Sequence, residues 1–186
     1  MIKLEKMCHH FHLSLQSGSN KTLARMNRRY TAEEFEEVTK RLRKAYNDVI
    51  LTTDIIVGFP GETEEEFEET YKFLSRIKFF KMHVFKYSIR NGTKAATMQN
   101  QVPGDIKEIR SKRLLALSDK NEADYIREYI GKEVEVLFEE QVGEYYKGHT
   151  ANYIMVKAKA LEDISGKLLS VHIVEVDGLE LVGNVN

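Results

Sequence analysis

The apolar positions of this chain change period along its length. Residues 10–16, His-Phe-His-Leu-Ser-Leu-Gln, alternate strictly, with Phe11, Leu13 and Leu15 on one face and His10, His12, Ser14 and Gln16 on the other. That is the period of a strand with one greasy and one polar side. Gln16-Ser17-Gly18-Ser19-Asn20 then turns the chain, and Ser19 or Asn20 stands where it can cap a short helix through Met26. Thr31 and Glu34 spell a capping box ahead of a helix with Phe35, Val38, Leu42 and Ala45 on one stripe. Residues 50–57 are β-branched except at Leu51 and Asp54, the composition of a buried parallel strand. Leu51, Thr53, Ile55 and Val57 share one of its faces; Thr52, Asp54, Ile56 and Gly58 share the other. Phe59-Pro60-Gly61 ends that strand, and Thr63 with Glu66 forms another capping box. The following helix, 64–78, carries Phe67, Tyr71, Leu74 and Ile77 inward and a solvated acidic run in its first turns. A third strand is predicted over 82–88, a turn-rich loop over 89–93, and a long helix capped by Asp105 that carries Ile106, Ile109, Leu114, Leu117 and Ile126.

Strand and helix therefore alternate through the first two thirds, the order of a partial (βα) barrel with parallel strands. In such a fold, ligands meet the carboxyl ends of the strands. From Gly131 the pattern becomes short strands split by glycines, over 133–139, 143–148, 153–160, 167–176 and 179–185. Five short strands in succession predict a small closed barrel or sandwich. The chain thus reads as α/β over 1–127 and all-β over 128–186.

Composition narrows the function classes. No apolar run approaches the length that spans a bilayer, and Met-Ile-Lys-Leu-Glu-Lys is no signal peptide, so the expectation is a cytoplasmic protein with no membrane partner. The single cysteine, Cys8, excludes a disulfide framework and a self-contained multi-thiolate metal site, and is expected to be a small buried hydrophobe. The net charge of −1 hides an acidic tail behind a mildly basic front. Non-specific nucleic-acid binding by the bulk charge of the tail is therefore excluded, and any RNA contact there needs a local patch.

Three features carry candidate chemistry. Asp54 inside an apolar strand is either satisfied by backbone donors or faces a site. Arg28 and Arg29 are either solvated loop charges or an anion-binding pair. Asp54 with Glu62 could serve an unrelated (βα) enzyme as acid and base, provided both carboxylates converge in one pocket.

Four linked segments resemble a known family: His-Leu-Ser-Leu-Gln-Ser-Gly (12–18), Arg-Met-Asn-Arg-Arg-Tyr-Thr (25–31), Thr-Thr-Asp-Ile-Ile-Val-Gly-Phe-Pro-Gly-Glu-Thr (52–63) and His-Val-Phe-Lys-Tyr-Ser (83–88) with Gly92-Thr93. Their order and spacing resemble the tRNA methylthiotransferases of the radical S-adenosylmethionine (SAM) superfamily. Gly-His-Thr-Ala-Asn-Tyr (148–153) and the closing Leu-Val-Gly resemble the TRAM module of those enzymes, an OB-like RNA-binding β-barrel. The wording is most similar to the branch that methylthiolates N6-threonylcarbamoyladenosine at position 37 of tRNA. The alternatives are the isopentenyladenosine branch and a stand-alone RNA-binding module. The resemblance implies that Gln16 and Ser17 meet the ribose and amino-acid part of SAM and that Arg28 pairs with its carboxylate. It places Asp54, Ile56 and Gly58 along adenine and ribose, with the backbone of Phe85, Lys86 and Tyr87 at the adenine edge. Lys147, His149, Asn152 and Tyr153 would meet RNA. The family also uses two 4Fe-4S clusters held by cysteines, the first in a Cys-x3-Cys-x2-Cys loop, and one cysteine cannot hold either. The resemblance therefore implies the second half of a radical SAM barrel plus TRAM. Such a piece carries no catalytic residue or metal of its own, its partners being tRNA and the amino-terminal part of the same polypeptide. It would be inactive alone and prone to self-association through an open strand edge at 10–16.

Overall fold

The computed structural model describes residues 7–185, so Met-Ile-Lys-Leu-Glu-Lys lies outside the described residues. The chain forms two compact units, neither of them one continuous stretch. One takes Phe11–Ala45 and Leu51–Asn121; the other takes the described part of Met1–His10, Tyr46–Ile50 and Glu122–Asn186.

The first unit is built on a three-stranded sheet of β1 (His10–His12), β2 (Ile50–Val57) and β3 (Lys81–Lys86), in that order. β2 and β3 run parallel, with Asp54 opposite His83 and Ile56 opposite Phe85. The alternation over 10–16 predicts a longer first strand than the three residues that are regular. Leu13 and Gln16 still donate to the carbonyls of Thr52 and Asp54, at 2.9 and 2.8 Å. Leu15 breaks the ladder by donating to the Thr53 hydroxyl at 3.1 Å, and Gln16 turns out at φ 74°. β1 stands at the edge of this sheet.

The helices are α1 (Asn20–Arg25), α2 (Ala32–Ala45), α3 (Glu64–Ile77) and α4 (Gly104–Arg127), with a 3-10 turn over Lys94–Thr97. Both capping boxes form: Glu66 N–H donates to Thr63 Oγ1 at 3.3 Å and Glu34 N–H to Thr31 Oγ1 at 3.2 Å, each returned by the glutamate side chain. Ser19 occupies the cap position of α1 without capping it, because its hydroxyl donates to Glu69 at 2.7 Å. Asn20 caps the next helix instead, accepting from Ala32 N–H at 2.8 Å. The expected stripes shift slightly. α2 buries Ala32 and Thr39 and leaves Val38 exposed, while α3 buries Phe73 ahead of the half-buried Tyr71. α4 begins at Gly104, so Asp105 sits in its first turn, where an acid complements the helix dipole, rather than at the cap. Leu114 is buried, and Ser118 accepts from Met82 N–H at 2.9 Å, tying α4 to β3. Ile109, expected on the inner stripe, is exposed.

The second unit holds β4 (Glu133–Val142), β5 (Tyr145–Thr150), β6 (Met155–Lys159), β7 (Leu168–Asp177) and β8 (Glu180–Val185), a closed barrel in the order β4-β5-β6-β8-β7. All pairings are antiparallel except β6 with β8. Val136, Phe138, Val156, Ala158, Val171, Ile173 and Leu181 are fully buried at alternate positions and fill the interior. Gly148 is required by close approach: a Cβ there would lie 2.1 Å from the Leu137 carbonyl oxygen. It sits against β4 where that strand is irregular, between Phe138 and Glu140. Cys8, expected inside, is exposed.

Candidate functional site

β2 and β3 share a face on which Asp54, Ile56, His83 and Phe85 stand in two successive rows. At its carboxyl end lies a cavity of about 450 Å³ lined by Ile56, Phe59, Phe85, Lys86, Tyr87, Ser88, Arg90, Thr93 and Ala95. Phe59 and Tyr87 meet edge to face at 5.3 Å. The Tyr87 hydroxyl is buried and has no hydrogen-bond partner among the described residues. Lys107 spans behind the wall, donating to the Tyr87 carbonyl at 3.0 Å and lying 5.3 Å from its ring centroid. Gly58 has no room for a side chain, since it has φ 71° and a Cβ would meet Lys107 Cγ at 2.3 Å. Its N–H donates to the Glu62 carboxylate at 2.6 Å.

Four of the residues placed at the adenosyl group, Ile56, Phe85, Lys86 and Tyr87, thus line one cavity. The others stand elsewhere. Gln16 is buried and completes the sheet edge, accepting from Ile56 N–H at 2.9 Å. Ser17 is buried and hydrogen-bonded to Thr70 at 3.1 Å, which pins the turn to α3. Arg28 is exposed in a loop. Among the described residues the donors to the Asp54 carboxylate are side chains rather than backbone: His12 Nε2 at 3.0 Å and Ser14 Oγ at 2.9 Å. Partial burial works to raise its carboxyl, but those hydrogen bonds and the imidazoles of His12 and His83 outweigh it and hold the group below the ordinary aspartate value.

Asp54 and Glu62 do not converge. Glu62 is buried against Arg110, whose Nη1 lies 2.8 Å from Oε2, and burial raises its carboxyl above the usual range despite the Gly58 and Arg110 hydrogen bonds. The acid–base pair is set aside on that geometry.

In the barrel, His149 and Tyr153 stack nearly parallel, with centroids 4.4 Å apart and planes 10° apart. Tyr153 is 64 % exposed at φ 74°. Lys147 is paired with Glu180 at 2.5 Å. Asn152 does not share this surface. It is 5 % exposed, and its side chain donates to Asp48 O and Tyr129 Oη, both at 2.7 Å, while accepting from Thr150 Oγ1. Sequence reasoning passed over Phe59, Arg90 and Lys107 at the cavity. The only signal for them was their place in loops and a helix that follow strand ends.

One unit has a cavity at the carboxyl ends of parallel strands, the place where α/β folds bind ligands, and the other unit is a closed five-stranded barrel. Residues 1–74 match the model of the radical SAM superfamily. The chain is 44 % identical to threonylcarbamoyladenosine tRNA methylthiotransferase MtaB of Bacillus subtilis over 92 % of its own length and 39 % of that protein's. It is 42 % identical to the tRNA-2-methylthio-N(6)-dimethylallyladenosine synthase of Alkaliphilus oremlandii, covering 97 % of this chain and 39 % of that one. The corresponding synthase of Caldicellulosiruptor saccharolyticus is 39 % identical over 100 % of this chain and 40 % of its own. Over nearly its whole length the chain is thus similar to radical SAM tRNA methylthiotransferases, and it spans about two fifths of the length of these curated relatives.

The residues present fit one of the family's cofactors and not the other. An apolar, aromatic-walled cavity suits an adenosyl group. An iron–sulfur cluster needs several thiolates, and the sequence supplies one.

Proposed function

We propose that this chain is the adenosyl-binding and RNA-contacting portion of a tRNA methylthiotransferase acting on threonylcarbamoyladenosine. The observation that carries the reading is the cavity formed by Ile56, Phe85, Lys86 and Tyr87 at the carboxyl ends of β2 and β3. Within it, the side chains of Ile56, Phe85 and Tyr87 receive adenine. Arg28, exposed in the loop after α1, remains the candidate for the carboxylate of SAM. The barrel presents the His149–Tyr153 stack to an unpaired base, since aromatic faces bind bases without regard to sequence. The change from βα order to all-β order, between the end of α4 at Arg127 and the start of β4 at Glu133, supports a family division into 1–127 and 128–186. Sulfur transfer itself needs thiolate ligands beyond Cys8, so these 186 residues alone do not perform it. In that reading tRNA and the cluster-bearing part of the same polypeptide are its partners. The cytoplasm, where tRNA is modified, is its compartment.

A second reading, a dimethylallyladenosine substrate, is favoured by relatives nearly as similar as the threonylcarbamoyladenosine enzyme, at 42 % against 44 % identity. Nucleoside mass spectrometry of tRNA from cells lacking the whole protein separates the two by which methylthio nucleoside disappears. The adenosyl site is tested by calorimetry with S-adenosylmethionine and 5′-deoxyadenosine. Binding that Ile56→Arg abolishes without loss of circular dichroism supports it; binding indifferent to Ile56→Arg and Tyr87→Ala overturns it.

A further inference from the structure

One row below the cavity, β1, β2 and β3 each contribute one metal-ligating side chain to the same spot. His12, Asp54 and His83 place their donor atoms within 4.8 Å of one another. We propose that this triad is a site for a borderline divalent cation of the zinc, cobalt or nickel class.

The chemistry of the donors selects that class. Two imidazoles and one carboxylate suit zinc and its neighbours, whereas magnesium and calcium take oxygen ligands. Tetrahedral metal–ligand bonds of about 2.0–2.2 Å put donor atoms roughly 3.3–3.6 Å apart, so an inward movement of up to about 1.5 Å, within reach of the exposed His83 side chain, closes the site. His12 Nε2 and Asp54 Oδ2 are already 3.0 Å apart, and the His12 and His83 rings are 5.7 Å apart between centroids.

A supporting shell is in place. His12 Nδ1 lies 3.0 Å from the hydroxyl of buried Thr52. When Nδ1–H donates to that hydroxyl, the Nε2 lone pair is left for the metal, the arrangement by which outer partners fix the tautomer of ligating histidines. Without metal, Nε2 carries the proton and donates it to Asp54. Binding therefore moves the imidazole proton to Nδ1 and replaces a hydrogen bond with two coordinate bonds. Ser14 Oγ, 2.9 Å from Asp54 Oδ2, holds the carboxylate in place. His83 is exposed and Asp54 half-buried, so further coordination positions face outward.

The inference does not rest on the adenosyl reading, because the triad lies two residues along each strand from Ile56 and Phe85. It does reassign Asp54 from adenosine to metal.

The test is titration of the chelator-stripped chain with Co²⁺, followed by its visible ligand-field bands, and with Zn²⁺ by calorimetry. One equivalent should bind, with histidine NMR signals of His12 and His83 shifting together. His83→Gln alters an exposed side chain, so it keeps the fold by circular dichroism, and it should weaken binding at least about tenfold. Thr52→Val should weaken it about tenfold through the lost support of His12. Cys8→Ser controls for a site made by the exposed Cys8 with His9 and His10 and should change nothing. Absence of binding at millimolar metal, affinity unaltered in His83→Gln, or affinity lost in Cys8→Ser overturns the proposal.

Discussion

Replacing Arg110 by methionine isolates the buried ion pair behind the Phe-Pro-Gly turn. The side chains of Arg110 and Glu62 are 5 % and 1 % exposed, so both charges are out of water. Arg110 also donates to the Glu62 carbonyl at 3.2 Å and to Glu64, and its Nε is buried without a partner among the described residues. Methionine fills similar space but strands the Glu62 carboxylate with the Gly58 N–H as its remaining hydrogen bond, and Glu66 nearby raises the carboxyl further. Removing one partner of a buried pair costs about 3–5 kcal/mol. With a urea slope of about 2 kcal/mol per molar, the midpoint at pH 7 should fall by roughly 2 M. The pH dependence carries the diagnosis. Glu62 has a folded pKa raised by desolvation, so its contribution is fully present below the unfolded glutamate value and is lost as pH rises through the folded one. The Arg110→Met deficit should therefore shrink on acidification towards pH 4. Glu62→Gln keeps an acceptor for Gly58 and leaves Arg110 with Glu64 as its remaining ionic partner, so it should cost less than Arg110→Met, and the double variant should recover part of the loss. A deficit under about 1 kcal/mol at pH 7, or one undiminished at pH 4, refutes the reasoning.

Three further outcomes are expected. Asn152→Ala removes hydrogen bonds to Asp48, Tyr129 and Thr150 from a buried position and should destabilise the barrel unit by about 2–3 kcal/mol, read by urea unfolding. Tyr153→Ala, at an exposed position, should leave that midpoint unchanged while weakening tRNA binding about tenfold in filter or gel assays. Glu66 behaves oppositely to Glu62. Burial works to raise it, but hydrogen bonds from Arg25, the Thr63 amide and Thr22 prevail and hold it below the ordinary value. Its contribution is present above the unfolded glutamate pKa and is lost as pH falls through the folded one, so Glu66→Gln should flatten the stability loss measured between pH 5 and 3.

Much of the fold was legible because its signals are local. Period-two alternation, glycine spacing and the two capping boxes each depend on residues a few positions apart, and the β-barrel strands, the α2 start and the α3 start follow them. The misses are tertiary. Leu15 leaves the ladder because Thr53, on another strand, offers its hydroxyl. Ser19 fails to cap α1 because Glu69 of α3 claims it, and Asn152 turns inward because the Asp48 carbonyl and the Tyr129 hydroxyl stand where it can reach them. A propensity for capping or for surface contact is a weak preference, and one buried partner outweighs it.

The site shows the same division more sharply. Alternation alone puts Asp54 and Ile56 on one face of β2, so that this face addresses something was readable from the sequence. What each residue addresses depends on register. The pairing of Asp54 with His83 and of Ile56 with Phe85 separates them into two rows with different neighbours. The upper row meets Phe59, Tyr87 and Arg90 around a cavity, whereas the lower meets His12, Ser14 and Thr52. Sliding β3 by two residues would place His83 beside Ile56, dissolving both constellations at no cost to the hydrophobic pattern. Register is held instead by β3's ties outside the sheet, where Ser118 accepts from Met82 N–H and Asn121 donates to the Phe79 carbonyl. Polar residues of α4, unremarkable in the sequence, thereby decide which side chains of β3 face Asp54 and which face the cavity.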